Sequence, residues 1–150
     1  MATLVDNYDI TGDVTPIEDG YCVALKSVDA TIGYNDFLVQ IDSRHARGTC
    51  AYDAILSHED SHIRAYLSVI DDMHDDILAA IDHAARTVMP VFVPLNGNID
   101  AALDELNKRL QDHPELILMR RRIRANEEIK NKDIDAHDDG TRLKRCMADN

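Results

Sequence analysis

The chain has 150 residues and a formal net charge of −12. That is enough length for one domain with its own core, and the wrong sign for nucleic acid or an anionic membrane surface as a main partner. No run of roughly 18 apolar residues occurs, which excludes a membrane-spanning helix.

Residues 1–19 read as an irregular lead-in, with Gly12, Pro16 and Gly20 as breakers. Met1 to Thr15 is polar and acidic and lacks the charged-then-apolar pattern of a signal peptide. The expected location is therefore cytoplasmic, or periplasmic or secreted if a leader has been removed. Tyr21 to Ile32 alternates as a strand, Gly33-Tyr34-Asn35-Asp36 has turn chemistry, and Phe37 to Ile41 reads as a second short strand. Together they predict a β-hairpin.

After a loop over Ser43 to Thr49, an apolar stripe at helical spacing runs from Cys50 through Tyr52, Ile55, Ile63, Tyr66, Ile70, Met73, Ile77, Ile81, Ala84 and Val88. Taken whole, that helix would be about 54 Å long, so a break is expected near Asp71 to Asp76. Pro90 and Pro94 bracket an extended Val91-Phe92-Val93, and Asn98 or Asp100 can cap a helix with Ile99, Ala102, Leu103, Leu106 and Leu110 on its apolar face. Glu115 to Lys130 is helical in pattern. Asp135 to Gly140 is a polar break, and 134–150 is a tail or short helix. Eleven of the sixteen Lys and Arg follow Asp100, whereas the long central helix is acidic. This predicts oppositely charged elements set against each other.

Within the long helix, His58-Glu59-Asp60-Ser61-His62 forms an H-E-x-x-H. Residues four apart share a helix face, so His58 and His62 can hold one metal ion with Glu59 placed as general base. On a helical wheel Glu59 falls in the apolar stripe and the two histidines near its edge. A catalytic zinc usually has three protein ligands. A third histidine in a turn after His62 is excluded, because Ala65 and Ser68 occupy the positions it would need. The candidates are His45 in the preceding loop, Glu127 within Asn126-Glu127-Glu128-Ile129-Lys130-Asn131, and Asp135 and His137 in the later break. Asn131 stands where an aspartate would orient the first histidine. Tyr66, Tyr34 and His137 are candidates for a carbonyl-facing donor. His74 and His83 lie too far along the helix to meet His58 and His62 unless it breaks and read as surface histidines, and His113 precedes Pro114 as a helix start.

Cys22, Cys50 and Cys146 contain no C-x-x-C and so form no metal signature. One disulfide with one free thiol, or a fully reduced chain, are both open. With the hairpin turn at Gly33, the chain after Asp42 returns beside Cys22, which makes Cys22–Cys50 the preferred pair.

The run Gly48-Thr49-Cys50-Ala51-Tyr52-Asp53-Ala54-Ile55-Leu56-Ser57-His58-Glu59-Asp60-Ser61-His62 resembles the signature of a family of small bacterial zinc-dependent proteases, most of them uncharacterised. In that family a hairpin with an early cysteine leads to Gly-Ser/Thr-Cys just before the H-E-x-x-H helix. The resemblance covers roughly residues 20–85 and implies a zincin-like site, with His58 and His62 as zinc ligands and Glu59 as base. It also implies export, where a disulfide survives.

The expected architecture is thus a single α+β domain over 1–150. In it an N-terminal hairpin or small antiparallel sheet lies on a long H-E-x-x-H helix followed by further helices, in a zincin-like arrangement. The expected function is a zinc metallopeptidase acting on a peptide or protein substrate. The alternatives are a zincin-shaped binding or scaffold domain without catalysis and an all-helical interaction module.

Overall fold

The computed structural model describes residues 2–138 and 140–148. The fold is α+β, with elements in the order β1 (Ala2–Ile17), β2 (Gly20–Phe37), α1 (Cys50–Asp72), α2 (His74–Thr87), β3 (Val91–Pro94), α3 (Ile99–Gln111), α4 (Pro114–His137) and α5 (Thr141–Ala148). The strands form one antiparallel sheet in the order β1-β2-β3. No helix among the described residues is long and apolar enough to cross a membrane. The chain divides into two compact units. One holds Val5–Ile32 and Met73–Arg122, and the other holds the residues through Leu4, Gly33–Asp72 and the chain from Ile123 onward.

The strands correct the hairpin read from the sequence. The expected lead-in over 1–19 is a strand from Ala2, residue 1 lying outside the described residues. Thr3, Val5, Tyr8, Ile10, Thr11, Val14, Thr15 and Ile17 supply the β-branched and aromatic residues that favour a pleated ladder. The breakers Gly12 and Pro16 fall inside that strand without ending it. The turn lies at Glu18-Asp19, ahead of Gly20, and the predicted turn over Gly33–Asp36 lies within β2. Gly20 opens β2 directly after this two-residue turn.

In the unit of Val5–Ile32 and Met73–Arg122, β3 pairs with the start of β2, Gly20 opposite Pro94 and Val23 opposite Val91. Gly20 is buried, and a β-carbon on it would lie 2.1 Å from the Val93 carbonyl oxygen. Only a glycine lets the two backbones approach so closely. Asn98 caps α3, its side-chain oxygen accepting from the Asp100 amide at 2.9 Å. That cap points the apolar side of α3 at the sheet, and Val23, Val93, Ala102 and Leu106 close the core. Leu106 has no solvent exposure. Leu106→Ala is expected to cost about 2–5 kcal/mol through lost burial and a residual cavity. In urea unfolding this reads as a lower midpoint at unchanged slope.

The basic run of α4 meets acids, as the charge pattern predicts. Arg120 pairs with Asp6 at 2.6 Å and Arg122 with Asp76 at 2.5 Å. Both partners of the second pair are about half exposed, so its worth is at most about 1 kcal/mol.

The other unit is built on α1. Gly48, at φ +82°, takes the left-handed conformation that a side chain disfavours. Thr49 follows as the cap: its hydroxyl accepts from the Tyr52 amide at 3.3 Å and donates to the Ala46 carbonyl at 2.8 Å. The helix stops at Asp72 and α2 restarts at His74, within the break expected near Asp71 to Asp76. Tyr34 and Phe37 at the end of β2 form an aromatic cluster with Tyr66 of α1.

Of the tail expected over 134–150, residues 141–148 form α5, residues 134–137 complete α4, and residues 139, 149 and 150 lie outside the described residues. A disulfide joins Cys50 to Cys146 with a Cα separation of 5.3 Å. This corrects the preferred Cys22–Cys50 pair, and Cys22 is free. Because the hairpin turns at Glu18-Asp19, β2 runs on past Gly33, and among the described residues no strand pairing returns the chain after Asp42 to Cys22. Cys22 sits instead opposite Phe92 of β3. The bond spans a sequence separation of 96, a loop for which chain entropy alone predicts about 4–5 kcal/mol of stabilisation. Beneath it the buried apolar contact is small: Ala51, Ala54 and Cys146, with Leu143 half-buried beside them.

Candidate metal centre

The buried residues of α1 are Ala51, Ala54, Ala65 and Val69. Their spacing of three, four and eleven continues through positions 58 and 62, so His58 and His62 belong to the inward stripe. Glu59, 100° around the helix, lies beside it. This reverses the wheel read from sequence, which weighted the large aliphatic residues. Here alanines occupy the inward positions, while Tyr52, Ile55, Ile63 and Tyr66 are only half-buried.

The C-terminal half of α4 runs antiparallel along that face. Lys130 reaches Ser68 at 2.7 Å and Asp72 at 2.5 Å, Asn131 reaches His62, and Asp135 reaches both histidines. Asn131 and Asp135 are four apart and share a helix face, like the histidines opposite them.

The distances define a compact cluster. His58 Nε2 and His62 Nε2 are 3.0 Å apart, and Asp135 Oδ1 lies 3.1 Å from His62 Nε2 and 3.5 Å from His58 Nε2. A tetrahedral centre with metal–ligand distances of about 2.0–2.1 Å has ligand–ligand edges of about 3.3 Å, and these three edges bracket that value. Each imidazole is held from its far side. His62 Nδ1 lies 2.7 Å from Asn131 Oδ1, and His58 Nδ1 lies 2.7 Å from Asp138 Oδ2.

Both outer partners are acceptors, an arrangement that suits the tautomer with its proton on Nδ1 and its Nε2 lone pair turned inward. Two imidazole lone pairs and one carboxylate oxygen then converge with no donor among them. A cation resolves that convergence. The two rings meet edge-on, 84° apart, with their Nε2 atoms 3.0 Å from each other. His58, His62 and Asp135 can therefore hold a metal ion.

The other candidate ligands lie apart from this cluster. Glu127, one turn before Asn131, accepts a hydrogen bond from the Tyr34 hydroxyl, and burial pushes its carboxyl up. The His45 amide donates to the Asp42 carbonyl at 2.9 Å in the loop before α1. His137 Nδ1 lies 3.2 Å from Asp133 on the exposed side of α4. Asn131 serves the second histidine, not the first as its position in the motif suggested. The sequence predicts a polar break at Asp135, but the residue is helical because α4 continues to His137. Asp138 went unnoticed as a histidine partner. The available signal was the four-residue ladder Glu127, Asn131, Asp135 on one face of α4.

Two cavities adjoin the cluster. One of about 110 Å³ is lined by Glu59, His62 and Tyr66 of α1 with Phe37, Leu38 and Val39. The other, about 580 Å³, lies on the His58 side between α1, the end of α4 and α5. No protein-family model matches the chain, and no curated protein or solved structure matches it.

Proposed function

We propose that the chain is a zincin-like, zinc-dependent hydrolase of peptide bonds, with His58, His62 and Asp135 as ligands and Glu59 as general base. The observation that carries the reading is the convergence of three lone pairs within 3.5 Å on the face of an H-E-x-x-H helix, each imidazole fixed from behind by Asn131 or Asp138. Two nitrogens and one oxygen are a zinc donor set, and three protein ligands leave a fourth position open. When bound, zinc supplies a polarised substrate carbonyl and a water acidified to about neutrality.

The chain's own groups supply the rest. The Glu59 carboxylate takes the proton of the attacking water and hands it to the departing amine nitrogen. Tyr66 is the favoured donor to the developing oxyanion, since it shares the Glu59 cavity, while the Tyr34 hydroxyl is engaged by Glu127 and His137 lines the other cavity. The disulfide favours a periplasmic or secreted location, and the acidic surface favours a peptide or protein over nucleic acid as partner.

Glu59→Gln is the test. The variant is expected to keep stoichiometric zinc and to lose peptide cleavage by roughly 10²–10⁴-fold. Wild-type protein that takes up zinc but cleaves no member of a mixed peptide library supports the second reading, a non-catalytic metal-binding or interaction domain. One observation favours that reading: the cavity beside Glu59, about 110 Å³, is below the roughly 300–1,000 Å³ usual for ligand pockets.

A further inference from the structure

We infer that the Cys50–Cys146 disulfide is a redox latch on the metal centre: closed, it holds α5 and the linker before it so that Asp138 supports His58, and reduced, it releases that support. The inference rests on the metal reading above and adds a control to it.

The bond ties the first residue of α1 to α5, and His58 lies about two turns further along α1. Asp138 sits in the short linker between α4 and α5. One of its carboxylate oxygens is 2.7 Å from His58 Nδ1, and the other accepts from the Gly140 amide at 2.9 Å. The carboxylate that orients a ligand is therefore itself set by the backbone leading into α5. Gly140, Arg142 and Leu143 also wall the larger cavity against His58. Among the described residues the buried apolar hold on α5 is Cys146 and Leu143 against two alanines. An eight-residue helix is too short to persist alone, and docking it orders every residue it contains. The covalent bond supplies what so small a contact lacks.

Opening the latch takes two electrons. A dithiol attacks one sulfur as thiolate to form a mixed disulfide, and its second thiol displaces the protein sulfur. Cys50 and Cys146 then stand as two protonated thiols and the dithiol is oxidised to its disulfide. Oxidation reverses the exchange. The chain thus carries a weak metal site where thiols are kept reduced and a tight one in an oxidising compartment.

Zinc affinity is measured by chelator competition on three forms: the oxidised full chain, the chain reduced with dithiothreitol and freed of it anaerobically, and Cys50→Ser/Cys146→Ser, which has no thiolate near the site to bind zinc itself. The expected result is a roughly 10–100-fold weaker Kd for the latter two, the range for losing an outer-shell partner. In metal-free protein, amides of α5 should exchange faster while those of α1 stay protected, which shows that the remainder is folded. Asp138→Asn in oxidised protein should weaken zinc similarly and leave α5 protected. Equal affinities in all three forms, or unchanged α5 exchange, overturn the latch alone. Oxidised protein that takes up no zinc overturns the metal reading and the latch with it.

Discussion

His62→Ala is expected to purify without zinc under conditions in which the native chain carries about one equivalent. His62 is the most enclosed of the three proposed ligands, its side chain 18% exposed against 25% for His58 and 62% for Asp135. Its loss also strands Asn131, whose oxygen fixes the ring at 2.7 Å. Two donors remain, and one is a single carboxylate on the solvent side. Asn131→Ala removes only the support and should weaken binding by roughly 10–100-fold, a smaller effect than the loss of His62. Metal analysis of the purified variants, followed by competition titration, gives the ranking. Zinc content equal in the native chain and in His62→Ala would place the metal elsewhere and refute the site.

The second large effect concerns Gly20→Ala. The added carbon would stand 2.1 Å from the Val93 carbonyl oxygen and 2.9 Å from the Pro94 Cα. Both are backbone atoms, so no rotamer change relieves the clash. The β2–β3 ladder must part at its Gly20–Pro94 end, next to the Val23–Val93–Leu106 core. A loss of about 3 kcal/mol is expected, the upper end of the overpacking range. Gly33→Ala is the control: the same substitution in the same strand meets nothing within 4 Å and should stay within roughly 0.5 kcal/mol. Urea midpoints of the two variants that fall together would show that the close approach at Gly20 carries no weight.

The helices were legible because their signals are local. The Gly48-Thr49 start of α1, the Asn98 cap and the break after Asp72 each rest on two or three neighbouring residues. The hairpin was misplaced because two turn signals competed. Gly33-Tyr34-Asn35-Asp36 has the stronger composition, but it lies where β2 continues to Phe37, and the turn falls at Glu18-Asp19, just before Gly20. From that single displacement followed the wrong cysteine pair.

At the site, the motif on α1 could be read from spacing alone. The carboxylate of α4 that meets the two histidines could not be singled out, because Glu127 and Asp135 lie on the same helical face and only the seating of the two helices brings Asp135 to them. The inward face of α1 was misjudged for a related reason. A wheel weighted to large aliphatic and aromatic side chains passes over alanine, which is often fully buried and here sits at the inward positions.

The aromatic cluster makes the protein its own optical probe. The chain has no tryptophan and five tyrosines, so tyrosine dominates its ultraviolet emission. Tyr66 stands one helical turn beyond His62 and meets Tyr34 edge-on at 5.3 Å. The Tyr34 hydroxyl in turn donates to Glu127, on the same helix as Asn131 and Asp135. A phenol bonded to a carboxylate emits weakly, because the excited hydroxyl passes its proton across. A displacement of β2 against α4 that breaks this bond would therefore brighten Tyr34, and a zinc titration followed by tyrosine emission reads that change in the native chain without a label.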